Sequence, residues 1–213
     1  MKKLFILIFL LSTLCLCPLV SAEIQIVDMP VEWNEQREAL TREYSLKHYG
    51  MDIIKIVPQA VVVHWTASNT WESAYHYFLS PARSDGTLNV ASQFLVDRDG
   101  TIYRLMDETA LARHAIGYNW CAIGIENVGG TDGAEDLTQE QLTSNIELIR
   151  YLHNKYPSIH YVFGHYQQTA ARESGLYIEL VEGYHSVKSD PGPSFMMGLH
   201  SSLAKDGLTF FPE

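Results

Sequence analysis

The segment Ala60–Trp65 constrains the fold of this chain most strongly. It reads Ala-Val-Val-Val-His-Trp, follows Pro58 and consists mainly of β-branched apolar residues. Such residues favour strands, and an apolar run without polar alternation is typical of a strand that is buried on both faces. The segment therefore predicts a central strand in a covered sheet. His64 falls on the same face as Val62, where a buried polar ring needs a partner.

Further strands and helices are predicted on either side of this segment. We expect helices at residues 32–49, 71–79 and 137–156, and strands at residues 90–97, 101–106, 121–127 and 159–163. Thr138 and Gln141 form a capping box at the start of the last helix, and Pro157 ends it. Asp99-Gly100, between two of the strands, is typical of a tight hairpin turn. The sequence therefore predicts an α/β fold, a single domain in which a central mixed β-sheet is flanked by α-helices.

The first 22 residues have the pattern of a secretory signal peptide. Lys2-Lys3 is a short charged region, Leu4–Leu16 is an apolar-rich stretch, and Val20–Ala22 supplies the small residues that precede a cleavage site. We therefore expect an exported protein that works in the periplasm or outside the cell.

Two alternatives remain open for this N-terminal segment. A membrane-spanning helix needs about 20 apolar residues, and Pro18 follows a shorter stretch here. A lipid anchor on Cys15 or Cys17 is the second alternative, although a bulky leucine precedes each cysteine. Cleavage is favoured over both, and no stable membrane insertion is expected.

Charge and cysteine content narrow the possible functions. The chain has 15 Lys and Arg against 25 Asp and Glu, a formal charge of -10, and loss of the two lysines at the N-terminus makes it -12. Because nucleic-acid binders need clustered basic residues and the chain has no basic run, nucleic acid is not an expected partner. Without its N-terminal segment the chain keeps only Cys121, so an intrachain disulfide is excluded and this cysteine is expected in the core.

His64, His165 and Asp190 are candidate metal ligands. His64 and His165 each end an apolar strand, and Asp190 begins the run Asp-Pro-Gly-Pro. Two imidazoles and one carboxylate would form a three-ligand zinc site with an open fourth position, which is typical of catalytic zinc. Simpler interpretations stay open: either histidine could be bonded to backbone in the core, and Asp190 could be a turn residue.

Glu126 and Lys188 are candidate catalytic residues. Alternation places Glu126 on the face opposite Ile123 and Ile125, and an acid there is not expected to be buried without a partner. It either faces solvent on an edge strand or faces a cleft, where it could act as a general base. Lys188 is either a solvated loop lysine or an electrophile beside the metal.

Taken together, these segments resemble the zinc-dependent N-acetylmuramoyl-L-alanine amidases, a family that includes the animal peptidoglycan recognition proteins and a phage lysozyme-type amidase. The resemblance runs from about residue 58 to residue 195 and is carried by six segments in order: Val61–Thr66, Ser92–Gly100, Arg113–Ala115, Ile123–Glu126, Gly164-His165 and Lys188–Pro193. The resemblance divides the chain into a signal peptide (1–22), a helical lead-in (23–57), a zinc amidase domain (58–200) and a C-terminal tail (201–213).

The resemblance implies a role for each candidate. His64, His165 and Asp190 would hold Zn²⁺, Glu126 would be the general base, and Lys188 would stabilise the oxyanion. His114 and Trp65 would contact the substrate. The bond broken would be the amide that joins N-acetylmuramic acid to L-alanine in peptidoglycan or its fragments, the muropeptides, and the protein would act as a monomer. A non-catalytic peptidoglycan-binding module and a secreted lysin or toxin are the alternatives.

Departures from the family pattern affect the expected substrate recognition more than the expected hydrolytic chemistry. The interval between His165 and Asp190 is 25 residues, longer than usual in the family, and it contains His185, an alternative third ligand. Val187 stands where many relatives have arginine, and Gln93-Phe94 replaces a frequent His-Tyr pair.

Overall fold

A computed structural model describes residues 24–212, in which a seven-stranded sheet is flanked by four α-helices. The strands are β1 (Ile26–Asp28), β2 (Ala60–Trp65), β3 (Phe94–Val96), β4 (Ile102–Arg104), β5 (Ala122–Asn127), β6 (Tyr161–Gly164) and β7 (Thr209–Phe210). The α-helices are α1 (Glu35–Tyr49), α2 (Trp71–Leu79), α3 (Gln139–Lys155) and α4 (Pro193–Leu203). The predicted signal peptide lies outside the described residues.

The sheet is mixed, as the sequence predicts. Its order is β1-β4-β3-β5-β2-β6-β7, with β2 in parallel pairing between β5 and β6. Strands β3 and β4 are antiparallel and form the hairpin predicted from Asp99-Gly100. The predicted α/β class is confirmed. The observed hairpin strands are shorter than predicted, because the remaining residues of the two apolar runs continue as irregular chain.

Strand β2 is buried on both faces. Val61 and Val63 pack with residues of α3 and α4 in one apolar cluster, whereas Ala60 and Val62 belong to a second cluster on the opposite face. All four are fully buried. The sheet is thus covered on both sides, and a polar side chain at the end of β2 is forced either into the core or into a cleft.

Helix α3 begins as its sequence predicts. The Thr138 side chain accepts a hydrogen bond from the Gln141 backbone N–H at 3.1 Å, and the Gln141 side chain accepts one from the Thr138 N–H at 2.9 Å. This reciprocal cap satisfies two backbone donors that the first turn of a helix leaves free. The helix then lies over β2 and β5, where Leu148, Ile149 and Leu152 are fully buried.

Short strands near both ends of the described chain extend the sheet. Strand β1 pairs with β4, and β7 pairs with β6, each in parallel. Phe211, which follows β7, packs edge-on against Phe163 of β6. Residues 209–211 of the predicted tail therefore contact the sheet directly. Among the described helices, none is long and apolar enough to cross a membrane.

Candidate metal centre and active site

Three side chains converge at the carboxyl ends of the parallel strands β2 and β6. His64 is the fifth residue of β2, His165 follows β6 directly, and Asp190 lies in the turn before α4. His64 Nδ1 is 2.9 Å from His165 Nδ1, and each of these nitrogens is 3.1 Å from Asp190 Oδ2. All three residues are buried. The structure thus brings together the residues that the sequence singles out as ligands, and this group could hold a metal ion.

Backbone geometry places Asp190 beside His165. A Cβ atom on Gly164 would lie 2.8 Å from Pro191 Cδ, so the turn after Asp190 can approach β6 only because this residue is glycine. The Tyr166 N–H also donates to the Asp190 carbonyl oxygen at 2.9 Å. The close approach at Gly164 therefore sets the third ligand, Asp190, against the second, His165.

The donor atoms fit a tetrahedral metal site. In a zinc site with bonds of about 2.0–2.1 Å, neighbouring donor atoms are about 3.3 Å apart, slightly more than the separations between His64, His165 and Asp190. Two imidazole nitrogens and one carboxylate oxygen are also a donor set that zinc accepts in catalytic sites. Three protein donors would leave one tetrahedral position for water or substrate.

Burial favours the protonation states that metal binding requires. Burial, together with the charge of His64, lowers the pKa of His165 to about 4, so the ring is neutral at pH 7. Burial opposes ionisation of Asp190, but the close imidazoles of His165 and His64 outweigh it and hold the pKa of this carboxyl well below its usual range. A neutral imidazole and an ionised carboxylate are the forms that bind metals.

Glu126 lies beside the metal ligands on the same face of the sheet. It pairs in register with His64 across β5 and β2, and β5 is an interior strand, so the edge-strand alternative does not apply. The side chain is half-buried, and its Oε2 atom is enclosed with no hydrogen-bond partner among residues 24–212. Burial raises the pKa of Glu126 to about 7, and Asp190 adds to the rise while His64 and Lys188 oppose it.

The residues before Asp190 are exposed. Lys188 and Val187 both lie at the surface, and Val187 is 98% exposed. His185 is also exposed, outside the group of converging donors, and its backbone N–H donates to the Gly183 carbonyl. The geometry thus favours Asp190 over His185 as third ligand.

His114 contacts the His64 ring, and Trp65 is the residue that follows His64 in β2. His114 Nδ1 is 3.1 Å from His64 Nε2, and His114 Nε2 is 3.2 Å from the Ala122 carbonyl oxygen. Burial, followed by the charge of His64, keeps the pKa of His114 well below its usual value. Trp65 is half-buried and packs over Gly130, where a Cβ atom would lie 2.2 Å from the indole ring. Substrate contacts of these two residues stay predictions.

The match to a known family covers this whole site. The family described as N-acetylmuramoyl-L-alanine amidase matches residues 55–193, more than half of the chain, including His64, His165, Asp190 and Glu126. The chain belongs to the N-acetylmuramoyl-L-alanine amidase family. The resemblance stated from the sequence is thereby confirmed.

Phage endolysins are similar to this family member over shorter stretches. The endolysin of Escherichia phage T7 is 37% identical over 78 residues, which cover 35% of this chain and 52% of the endolysin. The endolysin of Enterobacteria phage K11 is 30% identical over 79 residues, with the same two shares. The chain spans about half the length of the curated relatives it matches.

Solved structures show the fold that this amidase-family chain shares. N-acetylmuramoyl-L-alanine amidase LysC from Clostridium intestinale is 24% identical with a TM-score of 0.54, over 87% of this chain and 99% of LysC. Bumblebee PGRP-SA is 20% identical with a TM-score of 0.54, over 88% and 98% of the two chains. AmpD is 21% identical with a TM-score of 0.51, over 83% and 93%. At these identities the likeness concerns the fold.

The long interval between the second and third ligands packs against helix α1 in this amidase-family chain. The Leu180 N–H donates to the His48 carbonyl at 2.9 Å, and Glu179 Oε1 lies 2.9 Å from His48 Nδ1 in a buried pair. The Trp120 indole N–H donates to the Leu176 carbonyl at 3.0 Å. The predicted helical lead-in and the interval are thus mutual packing partners.

The sequence did not indicate the structural roles of two polar residues that organise the site. Gln93 is fully buried: its side chain accepts from the Gly124 N–H at 2.7 Å and donates to the Ala110 carbonyl at 2.8 Å. Asn119 is also buried and accepts from the His114 backbone N–H at 2.9 Å. The available sequence signal for Gln93 was a polar residue inside an apolar run. In the structure its side chain bridges two backbone groups in the interior of the protein.

Proposed function

We propose that this chain is a zinc-dependent hydrolase that cleaves the amide bond between N-acetylmuramic acid and L-alanine in peptidoglycan or muropeptides. One observation carries the proposal: three donor atoms converge within 3.1 Å of one another, beside a glutamate whose Oε2 has no partner in the described chain. Membership of the amidase family supports the substrate class. A purely structural metal site would not need the unpaired acid.

Three residues would hold the metal, which leaves Glu126 and Lys188 available for the chemical steps. His64, His165 and Asp190 would bind Zn²⁺ through Nδ1, Nδ1 and Oδ2, the atoms that face one another. When bound, zinc supplies Lewis acidity, which acidifies water and polarises a carbonyl group.

Glu126 is the proposed general base. It accepts a proton from the attacking water as the new C–O bond forms, and returns a proton to the L-alanine nitrogen as the C–N bond breaks. A pKa near the working pH suits both transfers, and burial raises the pKa of Glu126 to about 7.

Lys188 is the proposed oxyanion stabiliser. It is exposed, two residues before Asp190, so its flexible stem could bring the ammonium to a carbonyl oxygen of bound substrate. Negative charge develops on that oxygen in the transition state, and a cation there lowers the barrier. Trp65, the residue after His64 in β2, is proposed to contact the substrate.

Two other readings use the same fold. A non-catalytic peptidoglycan-binding module would tolerate loss of a ligand or of Glu126, yet this chain retains His64, His165, Asp190 and Glu126. A secreted lysin or toxin would share the chemistry and differ in whose wall it attacks. The pattern in residues 1–22 supports export for each of these, and a mature N-terminus at Glu23, read by mass spectrometry, would establish cleavage.

A defined muropeptide tests the proposed function. The purified chain should release free stem peptide when zinc is present and release none after a chelator has removed the metal, because the ligands alone supply no Lewis acid. Absence of zinc-dependent release from every muropeptide tried would overturn the proposal.

Two histidine variants provide a matched pair for that assay. His165→Ala should lose both bound zinc and peptide release, since it removes one of three ligands. His185→Ala removes an exposed histidine from the same stretch and should keep both. Zinc content equal to that of the wild type in His165→Ala would refute the ligand assignment, and its loss in His185→Ala would reinstate the alternative third ligand.

A further inference from the structure

The imidazole of His114 is wedged between a metal-site histidine and a backbone carbonyl. Its ring lies nearly perpendicular to that of His64, with the centroids 5.2 Å apart and an interplanar angle of 88°. Nδ1 faces His64 Nε2 at 3.1 Å, and Nε2 faces the Ala122 carbonyl oxygen at 3.2 Å. Both ring nitrogens of His114 are therefore engaged by the protein.

The carbonyl determines the direction of this hydrogen-bond chain. A carbonyl oxygen can only accept, so His114 carries its proton on Nε2 and donates to Ala122. The neutral ring then has a lone pair on Nδ1, which can only accept, and His64 must donate from its own Nε2. His64 Nδ1 is therefore left unprotonated, and its lone pair faces His165 Nδ1 and Asp190 Oδ2, the other two candidate ligand atoms.

The reverse chain is disfavoured. If His64 carried its proton on Nδ1, then His114 would have to donate from Nδ1 and present the Nε2 lone pair to the Ala122 carbonyl. Two acceptors would then face each other at 3.2 Å, and an acceptor shielded from water without a donor is destabilising. The same tautomer would also place a hydrogen where the metal has to bind.

We propose that His114 is a positioning residue that fixes His64 in the tautomer with Nδ1 free for the metal. The inference rests on the proposed function, in that His64 is a zinc ligand, and adds a residue whose role is to prepare that ligand. His114 acts through His64, and both of its nitrogens are committed to that task.

The fold gives His114 a defined place. A Cβ atom on Gly124 would lie 2.8 Å from His114 Cγ, so the ring occupies space that only a glycine on β5 leaves open. The Asn119 side chain accepts from the backbone N–H groups of His114 and Ala115 at 2.9 and 2.6 Å, and donates to Tyr44 of helix α1 at 3.1 Å. Position and orientation of the ring are thus set by a strand, a loop and a helix.

The second histidine ligand lacks such support. His165 Nε2 is buried and has no hydrogen-bond partner among the described residues. His165 therefore gains nothing from holding its proton on Nε2, the tautomer that metal binding requires. Because only one of the two imidazoles is prepared in advance, metal affinity should depend strongly on the residue that prepares it.

Zinc affinity of a His114→Phe variant tests the inference. Phenylalanine keeps the ring shape and removes both hydrogen bonds, and loss of an outer partner of a metal ligand typically weakens binding about 10–100-fold. We expect a rise of that size in the zinc Kd, measured by competition with a chromophoric chelator. His185→Phe, at an exposed position, is the matched control and should keep the wild-type Kd.

Nitrogen chemical shifts of metal-free wild-type protein test the tautomer directly, even if the phenylalanine variant does not fold. His64 should show a protonated Nε2 and an unprotonated Nδ1. A protonated Nδ1 on His64, or a wild-type Kd in folded His114→Phe, would overturn the role of His114. Failure of the wild type itself to bind zinc would instead overturn the proposed function.

Discussion

Two glutamates of this chain are both shielded from water, and their surroundings shift their pKa values in opposite directions. Glu126, on the metal face of β5, has an enclosed Oε2 with no partner among the described residues, and burial raises its pKa to about 7. Glu108, beyond β4, is 3% exposed, and burial alone would raise its pKa as well. Hydrogen bonds from Lys155 and Tyr156 outweigh that effect and lower the pKa of Glu108 below its ordinary value.

The difference lies in the donors, not in the depth of burial. Glu108 accepts from Arg104 at 3.0 Å, from Lys155 and Tyr156 at 2.8 Å each, and from Tyr151 at 3.1 Å. A carboxylate with four donors is held in its ionised form, which ties β4 to α3 and serves stability. A carboxylate left without donors beside a metal site can exchange a proton, which is what a general base requires.

The largest expected effect comes from Glu126→Gln. Glutamine keeps the size of the side chain and cannot accept a proton, so turnover should fall by about 10²–10⁴-fold, the range typical of general acid–base catalysis. Bound zinc should remain, because Glu126 is not a ligand. Stem-peptide release and zinc content measured on one preparation check both statements, and turnover near that of the wild type would remove Glu126 from the chemistry.

The pH dependence of the unfolding free energy should also distinguish Glu126 from Glu108. The folded pKa of Glu126 is raised above its ordinary value of 4.5, so its destabilising effect appears as pH rises from about 4.5 to about 7 and is constant above. In chelator-treated protein, Glu126→Gln should therefore become more stable relative to wild type across that window. The expected gain is about 2 kcal/mol after allowance for partial exposure.

Denaturant unfolding of the two proteins at several pH values measures this gain. A stability difference between wild type and Glu126→Gln that stays the same from pH 4.5 to pH 8 would show that the Glu126 carboxyl is not perturbed.

Glu108→Gln should show the opposite pattern. The folded pKa of Glu108 is lowered, so its stabilising effect is present above the ordinary value of 4.5 and is lost as pH falls through the folded pKa. At pH 7 the variant should lose about 1–3 kcal/mol of unfolding free energy, because its donors lose an ionised acceptor. Turnover per folded molecule should be unchanged. A large loss of turnover in stable, folded Glu108→Gln would contradict the assignment of Glu108 to stability and of Glu126 to proton transfer.

The smallest effect is expected from Tyr156→Phe. This change removes one of the hydrogen bonds to Glu108 and leaves Arg104, Lys155 and Tyr151 in place, so the cost should be about 0.5–1.5 kcal/mol. Chemical denaturation at pH 7 checks it, with His76→Phe at an exposed site as a control. A loss larger than that of Glu108→Gln would mean that the tyrosine acts on stability by another route.

Local sequence signals were sufficient to predict much of the fold and the order of the site segments along the chain. The β-branched run ending in His64, the Asp99-Gly100 turn and the capping box of Thr138 each specify structure within a few residues, and the structure contains all three. Strands β1 and β7 have only three and two residues, too few for a hydrophobic period to be visible.

Contacts between distant segments could not be read in the same way. The partners of Glu108 on α3 lie more than 40 residues further along the chain, and nothing near Glu108 indicates them. The family resemblance implied only that His114 contacts the substrate. Its two hydrogen bonds, to His64 and Ala122, depend on the register of β2 and β5, which only the assembled sheet defines.

The proposed reaction is tested by hydrolysis of a muropeptide by the zinc-loaded chain in ¹⁸O-labelled water, with the product masses measured by mass spectrometry. Cleavage of the proposed amide should place one ¹⁸O atom on the lactyl carboxylate of the sugar product and none on the stem peptide, which should begin with a free L-alanine amine. Label on a peptide carboxylate, or no labelled product at all, would rule out this amide as the bond that is cleaved.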